Sequence, residues 1–198
     1  MMKKTIRSIM LASVLIGSFS MTAYAENAPI EVKGTVTSVT SNSPAPNTST
    51  SAVAPASGAT FYGSPTSSIS SGTIVPEGAA YLYTSGTVPP VLNKEGSTIY
   101  ERYGDTKTQA VGVLKSIEKQ LADQGLTMKD VVYLRAYLVA DAAKENKFDF
   151  AGWNEAYGEF FNNEKNAVKP ARSTVGVAGL VSSDWLIEIE AVAVYPRK

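Results

Sequence analysis

Between Gly34 and Pro76 the chain carries no charged residue. Residues 35–60 hold 12 Ser or Thr among 26, interrupted by Pro44, Pro46 and Pro55. Such a stretch offers too little apolar surface to offset the roughly 1–2 kcal/mol per residue lost when a backbone is ordered. It reads as a flexible tether over 26–60, with an alternation at Ile30, Val32, Val36 and Val39 as its one strand signal. A folded core is thereby confined to residues 61–198, an ordinary length for one domain.

Ahead of the tether, residues 1–25 have the layout of a secretory signal peptide. Lys3, Lys4 and Arg7 are followed by an apolar run from Ile9 to Phe19 and by Ala23-Tyr24-Ala25, so cleavage is expected after Ala25 and the mature chain in the periplasm or outside the cell. The run falls well short of the roughly 20 residues that span a bilayer, and no later segment has the length, so no membrane contact is expected after cleavage. The whole chain has 18 basic and 18 acidic residues; losing the three basic ones of the leader leaves 15 against 18. Nucleic acid is a poor partner for such a surface, because phosphate binding depends on clustered cations. There is no Cys and no His, which removes thiol nucleophiles, Cys-based metal sites and the commonest general base. Chemistry must come from carboxylates, Arg, Lys, Tyr, hydroxyls or the backbone.

The folding portion shows alternating strand and helix signals. Thr73–Val75, a Pro76-Glu77-Gly78 turn and Ala80–Gly86 suggest a hairpin. Residues 105–124 suggest an amphipathic helix. Asp105 is placed to cap it, Ala110, Val113, Leu114, Ile117 and Leu121 recur at helical spacing, and Gly125 stops it. Val131–Val139 is a strand-rich run, and 149–161 suggest a second helix with Phe150, Trp153, Tyr157 and Phe160 on one face. Strands at about 173–178 and 185–195 complete a β-β-α-β-α-β-β order, an α+β fold with two helices on one sheet face.

Five phrases stand at the joints of these elements. They are Tyr83-Thr84-Ser85-Gly86 with Val88-Pro89; Gly125-Leu126 with Asp130-Val131-Val132; Asn154, Tyr157, Phe160 and Phe161; Pro170-Ala171-Arg172-Ser173-Thr174-Val175; and Ile187-Glu188-Ile189-Glu190-Ala191. In this order, over about 66–195, they resemble the Rid family of reactive-intermediate deaminases, also called the YjgF, RidA or L-PSP endoribonuclease family. The resemblance implies a chorismate-mutase-like fold assembled as a homotrimer, with a ligand cleft at each subunit interface. It further implies hydrolysis of 2-imino acids to 2-oxo acids and ammonia, without metal or organic cofactor.

Site residues follow by position. Arg172 presents paired donors matched to a carboxylate, so it would bind the acid group of a 2-imino or 2-oxo acid. Glu188, the first Glu of the Ile-Glu-Ile-Glu phrase, takes the family role of handling water and protons. Glu190, two residues on, points to the same face and reads as a solvated or interface carboxylate. Gly86 matches a cleft-lining backbone position, Asn154 a polar residue near the site, and Thr174 and Ser173 place hydroxyls beside Arg172. Tyr157 and Phe160 read as core.

Three departures stand against full transfer. Ile69 occupies the position of a family tyrosine that reaches the cleft, and Tyr62 could replace it only if its loop folds back. Gly176 stands where a polar residue is usual, and the segment 91–104 is longer than the usual turn. Three functions are therefore weighed: an imine deaminase, a non-catalytic binder of small carboxylates, and a ribonuclease. The acidic balance and missing His count against the last.

Overall fold

The structure, a computed structural model, describes residues 58–196; the leader and the tether up to residue 57 lie outside the described residues. The long helix sits where its sequence period put it. Helix α2 runs Thr106–Asp123, and the Asp105 side chain accepts from the Thr108 N–H at 2.9 Å. Ala110, Val113, Leu114, Ile117 and Leu121 are fully buried, and Gly125 ends the helix with φ at +75°.

Beside α2 lies α3, Phe150–Phe160, whose first turn is capped by Asp149 at 3.0 Å from the Gly152 N–H. Its buried stripe is Gly152, Trp153, Ala156 and Tyr157, continued by Phe161. This corrects the aromatic face expected from spacing. Phe150 is exposed and Phe160 only partly buried, because the helix turns Trp153 and Tyr157 onto the sheet and leaves Phe150 at its outer start.

Both helices cover one face of a four-stranded sheet of order β3-β6-β4-β5. The central strands are β4 (Val131–Val139) and β6 (Ile187–Val194), paired antiparallel, with β3 (Tyr81–Tyr83) antiparallel to β6 at one edge. The other edge is β5 (Ala171–Val177), parallel to β4, and α3 supplies the crossover that a parallel pair requires. Leu134, Ala136 and Leu138 of β4 pair with Ala191, Ile189 and Ile187 of β6, and all six are buried toward the helices. Each large aliphatic side chain among them contributes about 1.5–3 kcal/mol by leaving water.

The hairpin expected around Pro76-Glu77-Gly78 does not form. The turn is present, with the Ala79 N–H donating to the Pro76 carbonyl at 3.3 Å, but its flanking strands part company. β2 (Gly72–Ile74) pairs with β1 (Thr60–Tyr62), a strand no sequence signal indicated, while β3 joins β6. Leu82 packs against the main core only in that second pairing, so burial overrides the local turn. A short helix, α1 (Ile99–Tyr103), fills the long 91–104 segment. It is moored by Tyr100, whose hydroxyl donates to buried Asp141 at 2.5 Å, and by the Arg102–Asp184 ion pair at 2.7 Å. Among the described residues no helix is long and apolar enough to cross a membrane.

Candidate functional site

Strand register decides which site residues can meet. Arg172 pairs with Leu134, so its side chain leaves the sheet on the helix-covered side, at the edge strand. There the guanidinium lies over two rings of α3, its Cζ 4.7 Å from the Tyr157 centroid and 5.2 Å from that of Trp153. Nη2 donates to the Asn154 Oδ1 at 2.7 Å. No Asp or Glu of the described residues forms an ion pair with it, and Nη1 is buried without a hydrogen-bond partner. Burial pushes the pKa of this group down from its ordinary value, the signature of a charge that the fold desolvates without neutralising.

Thr174, two residues on, faces the same way. Its Oγ1 accepts the Trp153 indole N–H at 3.1 Å. A hydroxyl that already accepts has its own proton free to donate, so Trp153 leaves Thr174 oriented as a donor near the guanidinium. Ser173, on the alternate side, bonds the Tyr133 hydroxyl at 2.6 Å and leaves this face. The segment carrying Ile69 runs alongside. Ser70 pairs with Ala171, the Tyr157 hydroxyl donates to the Ser68 carbonyl at 3.1 Å, and Ile69 itself packs on the core. Burial holds the Tyr157 phenol protonated, well above the usual range. Tyr62 supplies no substitute phenol by folding back, since its ring lies against Gly72 of the β1–β2 ribbon.

Glu188 pairs with Tyr137, three residues from Leu134 along β4, so it emerges on the opposite, helix-free face. It is half-buried and has no hydrogen bond or ion pair among the described residues. Gly86 lies directly beneath it: a Cβ there would collide with the Glu188 carboxyl group as it stands, so the glycine lets that carboxylate rest close against the backbone. Glu190, by contrast, is occupied, with Arg135 Nη1 at 2.7 Å and the Tyr137 hydroxyl at 3.3 Å. The fold thus gathers Arg172, Asn154 and Thr174 on one face and Gly86 with Glu188 on the other. In the sequence, Trp153 reads as a packing residue alone. Its link to Thr174 depends on how α3 lies along β5, which no local signal encodes.

A mixed sheet in this order, two helices on one face and a parallel crossover at the Arg172 edge define a chorismate-mutase-like α+β domain. The chain belongs to the Endoribonuclease L-PSP family, the Rid family, whose model matches residues 72–195. Two relatives are similar over most of their own length. A RutC family protein of Pyrococcus horikoshii is 36% identical over 113 residues, covering 57% of this chain and 78% of the relative. The 3-aminoacrylate deaminase RutC of Acinetobacter baylyi is 34% identical over 112 residues, covering 57% and 77%. Among solved structures, the Rid-family protein YyfB of Yersinia pestis, of unknown function, superposes with a TM-score of 0.53 at 27% identity. That match covers 69% of this chain and 98% of YyfB.

Proposed function

We propose that this protein hydrolyses 2-imino acids to 2-oxo acids and ammonia, in a cleft built between copies of the chain, after export and removal of residues 1–25. The observation that carries this reading is Arg172: a half-buried guanidinium, aimed by Asn154 and two aromatic rings, with no carboxylate of the described residues to neutralise it. A ligand carboxylate is the natural counter-ion, and Thr174 adds a hydroxyl donor beside it. The likeness to a protein named as a deaminase supports the reaction class.

In the reaction, water adds to the iminium carbon as Glu188 takes one of its protons, giving a tetrahedral carbinolamine. The same carboxyl returns the proton to nitrogen, the C–N bond breaks, and the carbonyl forms as Glu188 takes the hydroxyl proton and passes it to the departing ammonia, which leaves as ammonium. Arg172 and Glu188 point away from opposite faces of one sheet, so a single ligand meets both only if they come from different copies. That requirement supports a cleft shared between copies; that the copies number three is what the family resemblance implies.

The test is release of 2-oxo acid from imines generated in situ by an amino-acid oxidase. The mature protein is expected to accelerate it over buffer, Arg172→Ala and Glu188→Gln each to abolish the acceleration, and an equimolar mixture of the two variants, refolded together, to restore part of it. A mixture as inactive as its components would remove the shared cleft; no acceleration by the wild type with any side chain would remove catalysis. A second reading, a binder without turnover, is favoured by Ile69, which brings no hydroxyl to the Arg172 side. Binding of 2-oxo acids in a calorimeter without hydrolysis of the imines would establish it.

A further inference from the structure

Arg172, Thr174 and Gly176 alternate onto the same face of β5. The helix lies antiparallel to this strand, so Tyr157 meets Arg172 and Trp153 meets Thr174. At the third position there is no side chain. The para edge of the Phe148 ring occupies its place instead, and a Cβ on residue 176 would stand 2.5–2.7 Å from three ring carbons. Phe148 is nonetheless 39% exposed, and Phe150, 43% exposed, lies beside it with ring centroids 5.8 Å apart. One end of this strip is a cation and a hydroxyl donor; the other is an apolar wall seated in the space that glycine leaves.

We infer that Phe148, seated on Gly176, selects the ligand side chain, and that the site takes 2-imino or 2-oxo acids with large apolar side chains in preference to small or polar ones. The inference rests on the proposed carboxylate grip of Arg172 and deepens it. Gly176 lies four residues from Arg172, roughly 13 Å along the strand. The arginine spans part of this distance, its guanidinium lying over both Tyr157 and Trp153 and bonded to Asn154. With Trp153 buried beneath it, a ligand held there by its carboxylate lays its side chain over the outer edge of the strip, toward exposed Phe148 and Phe150. A phenyl or isobutyl group reaches the wall, whereas a methyl stops short and leaves both surfaces wet.

A purely structural role is the competing account. Phe148 precedes the Asp149 cap, where an apolar residue commonly staples the first turn of a helix. A staple would affect stability and leave ligand preference alone, so the readout is a ratio. Calorimetry of the full-length mature protein would compare pyruvate, phenylpyruvate and 4-methyl-2-oxopentanoate. The two large acids are expected to bind at least roughly tenfold tighter than pyruvate, as burial of several carbons on an apolar wall implies. Phe148→Ala should bring the ratio close to one while pyruvate binding stays as it was. Gly176→Ala should do the same by displacing the ring it leaves chemically intact. Equal wild-type affinity for all three acids, or an unchanged ratio in folded variants, would overturn the inference and leave the carboxylate grip standing. If none of the three binds, the grip itself fails, and the selection proposed for it falls too.

Discussion

Arg135 and Arg172 lie on neighbouring strands of one sheet and leave it on opposite faces. Arg135 stands in the open, its side chain 47% exposed, and is matched by Glu190 at 2.7 Å. Arg172 is held between α3 and the sheet edge and has rings and an amide where a carboxylate could be. A paired, solvated guanidinium has its charge already answered, while a desolvated and unpaired one costs the fold something. Such a cost persists where a ligand repays it. The same contrast separates the two acids of β6, since Glu190 is spoken for and Glu188 is not.

The largest effect that would sharpen this contrast is on turnover. Glu188→Gln keeps the shape and removes the proton carrier. Imine hydrolysis is expected to fall about 10²–10⁴-fold, with calorimetric affinity for 2-oxo acids within about twofold of wild type. Loss of both together would mean that Glu188 supports the grip, and the division of labour between the faces would fail.

Next comes the indole that serves packing and site at once. Trp153 is fully buried, and Trp153→Ala is expected to cost about 3–5 kcal/mol in urea unfolding. Trp153→Phe should restore much of that stability. It still leaves Thr174 without its N–H partner, so 2-oxo acid binding should recover less than stability does. Parallel recovery of the two would reduce Trp153 to packing alone.

How much of this was legible follows from which signals are local. Asp105, the five apolar residues of α2 and Gly125 carry their instructions within one continuous stretch, and the structure obeys them. The Pro76-Glu77-Gly78 turn was equally legible, yet it could not name the strands it joins. β1, just upstream, and β6, far down the chain, won those pairings. Arg172 was found through its phrase, but its lack of a counter-ion is a property of everything packed around it. The opposition of Arg172 and Glu188 is more remote still. It rests on an odd offset, Leu134 against Tyr137, fixed only when β5, β4 and β6 take their registers. Phe148 and Gly176 are 28 positions apart, and nothing near either marks the contact.

Arg172→Met tests the cost argument directly. Methionine keeps most of the apolar stem against Trp153 and Tyr157 and removes the desolvated charge. Affinity for 2-oxo acids is expected to fall about 10–100-fold, the weight of charge-assisted hydrogen bonds to a carboxylate. Stability should hold or rise, because burial disfavours the charged form of this side chain in the fold. A variant that loses binding and also unfolds substantially earlier would show that the guanidinium stabilises the domain, making Arg172 a second structural arginine.

The smallest effect is expected at Arg135, and it limits the rest. With its partner Glu190 also partly exposed, Arg135→Met should leave carboxylate affinity unchanged and move the thermal midpoint by no more than about 2 °C. A fall of roughly ten degrees or more would be the response of a buried pair, since removing one partner then strands the other charge away from water. Such a fall would mean that the copy bringing its Arg172 to Glu188 also reaches over Arg135 and Glu190 on the same face. The two arginines would then differ in having a counter-ion and no longer in exposure. Measuring the midpoint against protein concentration separates these cases, because only a face covered by a second copy makes the loss depend on dilution.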